Sequence, residues 1–511
     1  MGNIGSDSMK ANDKSVNIAP MLNAYPDSMG GTLGDIVSIL RREDFKNVFR
    51  SMYILPSLYH TDLDRGFSVI DYDINGENAK RSDLIALQEM GIDLKLDFVL
   101  NHLSVQSPQF QDLIEKGENS EYRDFFIDWN AFWQGCGEMT AEGFIEPKPE
   151  YLREMFFRKP GLPILMVQFP NGRKVPYWNT FYQEITAGRD GKPRYLGQMD
   201  LNILSPLVWE HYEETLKKLS QYGAKIVRLD AFAYAPKAPG RRNFLNDPET
   251  WELLERVQNI ADRYDLTLLP EIHASYEERI YRILSQKGYW VYDFFLPGLI
   301  IDALESGNGE RLAAWANEVI DNDIHTVNML GCHDGIPLLD LQGLLPEDRI
   351  AELIEILKSR GGMVKDLHGQ KNMYYQVNMT YFSALDADER KMLLARAIQL
   401  FMPGKPQVWY LDLFAGENDY AAVERAGAGG HKEINRSNLN MEQVKTALRR
   451  DVVKEQLKLL HLRNTHPVFS TDARIHITSE RSQLQIRWNY EMMSANLRAD
   501  LDKYAFEITF N

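Results

Sequence analysis

Four short stretches of the sequence place ionisable side chains at the ends of apolar runs: Asp97 with Asn101 and His102, Arg228 with Asp230, Glu271 with His273, and His333 with Asp334. Three of the carboxylates, Asp230, Glu271 and Asp334, together with histidines around an aromatic-lined cavity, suit glycosyl transfer. That reaction needs a protonated acid to release the leaving oxygen and an ionised carboxylate to attack the anomeric carbon. Arg228 stands two residues before Asp230, so on a strand both project from one face and the guanidinium can keep the carboxylate ionised. Glu271 must instead sit where its pKa is raised enough to hold a proton. One strand-end carboxylate is weak evidence, but several converging on a pocket are not.

Convergence of that kind needs a scaffold. Near-continuous apolar runs at 50–58, 92–100, 224–232, 266–274, 289–297, 325–334 and 406–416, with an early strand near 23–27, suit strands buried on both faces. Helices with clear start signals lie between them. Ser205-Pro206, Asp247-Pro248 and the capping box Ser275 to Glu278 each precede an amphipathic stretch. About eight strands alternating with helices predict an α/β fold, a closed (β/α)8 TIM barrel whose polar strand ends share one rim. The expected division is a barrel from residues 18–102, 201–334 and 386–469, an inserted domain at 103–200, a second insertion at 335–385, a C-terminal antiparallel β domain at 470–511, and a disordered leader at 1–17. Long insertions in a barrel emerge at the active-site rim, so both should shape the pocket.

The bulk composition narrows the function classes. With 57 Lys+Arg against 73 Asp+Glu, the net charge of -16 has the wrong sign for non-specific binding to nucleic acid or an anionic membrane. An anionic substrate therefore needs local basic residues. Only two cysteines, Cys136 and Cys332, occur, too few for a disulfide framework, which favours a reducing compartment. The polar start of the chain and the absence of any long apolar run point to a cytoplasmic protein that is neither exported nor membrane-spanning.

The segments DFVLNH (97–102), IVRLDAFAY (226–234), LLPEIHASY (268–276) and LGCHDG (330–335) resemble, in order, the four sequence blocks of the alpha-amylase clan, glycoside hydrolase family 13. MLNAYPDSMGGTL, DRGFSVIDY, VYDFFLPGLI, PGKPQVWY, AGENDY and EINR are similar to segments of its sucrose phosphorylase subfamily, over nearly the whole chain from about 20 to 470. The resemblance implies that Asp230 is the nucleophile, Glu271 the general acid/base and Asp334 the transition-state stabiliser. It implies a glucosyl site of Asp64, Phe67, His102, Phe181, Gln198, Arg228, His333 and Arg436. Gln198 is the least secure, because the segment between it and Phe181 is longer than the family pattern. Amylases of the clan use the residue matching Asn101 in a structural calcium site; the subfamily resembles a metal-free version, so neither metal nor cofactor is expected.

On the acceptor side the match frays. Tyr375-Gln376 in YYQVN look like the sucrose phosphorylase pair that contacts unphosphorylated fructose, where phosphosugar enzymes tend to carry His in place of Tyr375. Yet Arg158-Lys159 in FFRKPGLP departs from the Arg-Pro-Arg-Pro pattern, and Arg158 occupies the place of an arginine found in phosphosugar enzymes. Met373 replaces a usual Asp, and Arg241-Arg242 stand in an unusual GRRNF stretch. The sequence thus predicts a retaining disaccharide phosphorylase, sucrose plus inorganic phosphate giving α-glucose 1-phosphate and fructose, as a monomer or homodimer. Ranked after it are phosphorylases of sucrose 6'-phosphate, glucosylglycerol or glucosylglycerate, then an α-glucosidase or transglucosidase, then a silent sugar-binding relative.

Overall fold

The computed structural model describes residues 16–157, 161–188, 193–364, 376–427 and 430–511. A parallel strand falls on each of the seven apolar runs and on the early segment, within it or overlapping its start: β1 Met21–Ala24, β2 Ser51–Ile54, β3 Asp93–Val99, β4 Ala224–Asp230, β5 Thr267–Pro270, β6 Val291–Asp293, β7 Thr326–Met329 and β8 Lys405–Trp409. They pair in the order β5-β4-β3-β2-β1-β8-β7-β6, every neighbour parallel, which curls the sheet into a nearly closed barrel. Register is set where it matters for chemistry: Arg228 on β4 lies opposite Asp97 on β3. Below that level the interior is filled by Lys95, whose Nζ donates to Gln407 Oε1 at 2.7 Å and sits 3.8 Å from the centre of the Tyr53 ring.

Helices begin at two of the expected signals, Pro206–Gln221 after Ser205 and Glu249–Arg263 after Pro248. The third behaves differently. The Ser275 to Glu278 box closes a 3-10 turn, Tyr276–Glu278, and Arg279 then adopts a left-handed conformation (φ 57°) before the helix Ile280–Gln286. A local box reports a capped turn, and cannot say whether the chain continues along the same axis.

Between β3 and β4 the chain builds paired strands around aromatic residues of its own. Trp129, Trp133 and Trp178 pack together, with Trp129 and Trp178 ring centres 4.8 Å apart, and Met155 beside them. This segment is sewn to the barrel by Gln198–Asp200, which pairs antiparallel with His102–Ser104 just beyond β3. The C-terminal strands Arg474–Glu480, Gln483–Tyr490, Met493–Asp500 and Ala505–Phe510 form one antiparallel sheet. The alternating pattern of the tail marks three of these. Met493–Asp500 alternates as well, with Met493, Ala495, Leu497 and Ala499 on one face and Ser494, Asn496, Arg498 and Asp500 on the other, but two of its four apolar positions are alanines, so its signal is weaker.

Candidate active site

At the C-terminal rim Arg228 joins three carboxylates. Its Nη1 lies 2.6 Å from Asp97 Oδ1 and 3.0 Å from Asp230 Oδ1, and its Nη2 lies 2.7 Å from Glu271 Oε1. Asp97 is also fixed by the Tyr53 hydroxyl at 3.0 Å. Neighbouring parallel strands deliver Asp97, Arg228 and Asp230, and Glu271 is the first residue beyond β5, its amide donating to Leu229 O. The electrostatics run opposite to the sequence expectation. Burial, with Glu271 and Asp97 as anionic neighbours, pushes Asp230 up despite Arg228. Burial would also raise Glu271, but Arg228 and His273 outweigh it and hold that carboxyl low. The reason is that Arg228 does not serve Asp230 alone; its second nitrogen is given to Glu271.

Asp334 follows β7 and is ringed by Lys432 Nζ at 2.7 Å, the His333 imidazole Nε2 at 3.1 Å and Arg436 Nη2 at 3.7 Å. Burial opposes ionisation there, but His333, Lys432 and Arg436 keep the carboxyl well below its usual range. Asp64 sits across the same cations, 3.5 Å from Arg436 and 4.0 Å from Lys432. Lys432 was not among the sequence candidates. Its only signal is its place four residues before Arg436 in the HKEINR segment.

An aromatic and imidazole wall completes the pocket. Phe67 stacks on His333 with ring centres 5.0 Å apart at 12°, and the Arg228 guanidinium lies 5.4 Å from the Phe67 ring centre. Phe67 O lies 2.9 Å from His102 Nε2 and accepts from Gln198 Nε2 at 3.0 Å, so these two side chains meet at one carbonyl. Phe181 packs on His102 at 5.0 Å. The least secure sequence candidate, Gln198, is therefore placed by strand pairing, opposite Ser104, whatever the length of the loop before it. Burial lowers the pKa of both His102 and His333, although Asp200 and Asp334 respectively oppose it.

Two features bear on metals. Asn101 and Asp200 do form an oxygen cluster beside the pocket, and the ammonium of Lys237 lies inside it, 2.9 Å from Asp200 Oδ2 and 3.1 Å from Asn101 Oδ1, donating also to Tyr234 O. Cys332, His333 and Asp334 bring ligand atoms within 4.8 Å of one another. Burial pushes the Cys332 thiol up to about 12.

On the acceptor side the Gln376 carboxamide reaches His273 Nε2 at 3.4 Å, and a half-turn of the amide presents its oxygen to that nitrogen when the imidazole is doubly protonated. Arg158, Lys159, Met373 and Tyr375 lie outside the described residues. Arg241 is half-exposed and engaged with Glu249 at 3.1 Å and Asp247 O at 2.8 Å, an ordinary surface pair, and Arg242 is exposed. Asn243 beside them takes the Phe156 amide at 2.9 Å, which tethers this stretch to the residues preceding Arg158.

A parallel barrel with this carboxylate cluster at its rim is of the alpha-amylase type. The family model for the alpha amylase catalytic domain matches residues 23–295. The sucrose 6(F)-phosphate phosphorylase of Ilumatobacter coccineus is 55% identical over 499 residues, 96% of this chain and 95% of that one. The sucrose phosphorylase of Streptococcus mutans is 33% identical over 466 residues, 89% of each chain. The crystal structure of sucrose 6F-phosphate phosphorylase from Thermoanaerobacter thermosaccharolyticum superposes with a TM-score of 0.87 at 33% identity, covering 98% of this chain and 96% of that one. The chain belongs to the alpha-amylase family, in the sucrose phosphorylase branch of glycosyltransferring enzymes.

Proposed function

We propose that the enzyme is a retaining phosphorylase whose donor is sucrose esterified with phosphate on its fructosyl unit, giving α-glucose 1-phosphate and fructose 6-phosphate. The observation that carries the choice of acceptor is the 55% identity, across nearly the whole of both chains, to a protein named as a sucrose 6(F)-phosphate phosphorylase. Arg158 and Lys159 supply the charge-assisted donors that an esterified phosphate needs. The second reading, free sucrose, which the sequence ranks first, is favoured by Tyr375, a residue without that charge.

In the proposed mechanism Asp230 attacks C1 and Glu271 protonates the departing oxygen. Glu271 can do so only if that oxygen takes the place of Arg228 Nη2 at its carboxylate. The exchange removes Arg228, the largest of the influences that hold Glu271 low, and leaves the guanidinium to Asp97 and Asp230. The proton that burial favours on Asp230 is then better held on Glu271, which frees the nucleophile. Asp334, kept anionic by Lys432, His333 and Arg436, faces the positive charge that develops at C1.

The test is to supply glucose 1-phosphate with fructose, fructose 6-phosphate, glycerol or glycerate and to measure phosphate release. The proposal expects fructose 6-phosphate to be the best acceptor, and Arg158→Ala to impair it far more than fructose. A wild-type preference for fructose selects the second reading, and release with neither sugar refutes both.

A further inference from the structure

Asp340 is a buried carboxylate that the mechanism above leaves unused. It lies in the 3-10 turn Leu339–Leu341, beyond the loop that carries His333 and Asp334. Its Oδ2 is 3.1 Å from His273 Nδ1, while the other ring nitrogen, Nε2, is 3.6 Å from Glu271 Oε1. The imidazole lies on the Phe294 ring, centres 3.8 Å apart at 19°, which fixes its plane. Held at Nδ1 by a carboxylate, the ring turns Nε2 toward the space beside Glu271. The oxygen that leaves C1 and the oxygen that later attacks it both occupy that space, because both exchange a proton with Glu271.

That space has to admit an anion among anions. Among the described residues Asp97, Asp230, Glu271 and Asp334 all lie within the pocket, and Arg228, Lys432 and Arg436 are engaged, Arg228 with three carboxylates and Lys432 and Arg436 with Asp334 and Asp64. We propose that Asp340 is a positioning residue that keeps His273 protonated on both nitrogens, so that Nε2–H offers phosphate a cationic donor while the glucosyl-enzyme is being opened. The inference rests on the phosphorylase reading. Among the described residues the charged groups facing His273 include Asp340 and Glu271, with Glu278 acting on Asp340 and Arg228 on the far side of Glu271. Burial alone would lower His273, but Asp340 and Glu271 together bring it up to about 9. Burial raises Asp340, and the His273 cation opposes that rise.

In the step itself a phosphate oxygen forms the new bond to C1 as the C1–Asp230 ester bond breaks, its electron pair returning to the Asp230 carboxylate. The proton on the attacking phosphate hydroxyl passes to Glu271, which was left as a carboxylate by the first half-reaction. His273 keeps both its protons throughout. A donor with a raised pKa acts below that value and is lost as pH rises through it, so the acceleration of phosphate attack should be full at neutral pH and fade near pH 9.

Asp340→Asn keeps an oxygen that can accept from Nδ1–H but removes the charge. It should move the basic limb of kcat/KM for phosphate down by about one unit or more, which means about a twofold loss or more at pH 8 and about a tenfold loss at pH 10. First-turnover fluoride release from α-glucosyl fluoride, which reads the formation of the glucosyl-enzyme, should fall much less. The Cε1–H resonance of His273, assigned with His273→Gln, should titrate near 9 in the wild type and well below that in Asp340→Asn. An unshifted basic limb, or a wild-type His273 that titrates near its ordinary 6.5, overturns the proposal. If the wild type shows no dependence on phosphate, the phosphorylase reading fails instead, and the resonance still decides whether Asp340 controls His273. Should Asp340→Asn not fold, His273→Gln must show the same selective loss on phosphate; equal losses in both half-reactions would refute the role.

Discussion

Lys237→Met replaces a buried ammonium with a side chain of similar length and no charge. The wild-type pair is almost fully enclosed, with 1% of the Lys237 side chain and none of Asp200 exposed. Burial lowers the Lys237 pKa more than Asp200 raises it, so moving the amine out of water costs more than the 2.9 Å contact returns. The intact pair is therefore a weak stabiliser, but removal of one partner is costly. Asp200 would be left as a buried anion with Thr180 and Asn101 as its donors, a situation that costs about 3–5 kcal/mol. Asp200 ends the strand that sews the inserted segment to the barrel, so the loss should loosen both together. At about 2 °C per kcal/mol for a large domain, Lys237→Met should melt at least about 5 °C below the wild type. Lys237→Met with Asp200→Asn should recover most of that, since the amide carries no charge, its oxygen still accepts from the Thr180 amide and its NH2 can donate to the Thr180 hydroxyl. Thermal unfolding followed by near-ultraviolet circular dichroism on the two single variants and the double variant measures the coupling. A single variant within 1 °C of the wild type, or a double variant no more stable than Lys237→Met, would refute the reasoning.

Asp230→Asn should fold normally and lower turnover by at least about three orders of magnitude, because the covalent step is lost; single-turnover kinetics on pure protein checks this. Glu271→Gln should slow transfer from the natural disaccharide far more than from α-glucosyl fluoride, whose leaving group needs little protonation, and equal losses on the two donors would assign Glu271 a structural part. Lys432→Met removes a charge-assisted bond to Asp334 at 2.7 Å, which corresponds to about a tenfold to hundredfold loss of kcat/KM. Asp334 acts as the anion, above its pKa, and loses one of the cations that hold that pKa down, so the acid limb of the profile should also move to higher pH.

The strands of the barrel are legible in the sequence because burial on both faces makes each one a continuous apolar run, whatever its neighbours are. The carboxylates and histidines at their ends are legible because a barrel gathers strand ends on one rim, so position along the chain already implies proximity. The strand Met493–Asp500 is less so, since two of the four residues on its apolar face are alanines, which mark the alternation weakly. Lys432, Asp340 and Lys237 are hidden. Lys432 meets Asp334 across 98 residues and Asp340 meets His273 across 67, through loops whose course depends on packing at the rim. The same holds for where the proton resides. The sequence determined that Arg228 shares a face with Asp230, since side chains alternate along a strand. Only the tertiary structure decided that its second nitrogen reaches Glu271 at 2.7 Å. Protonation depends on the sum of burial and every charge within a few ångströms, and that sum exists only when separate strands are brought together.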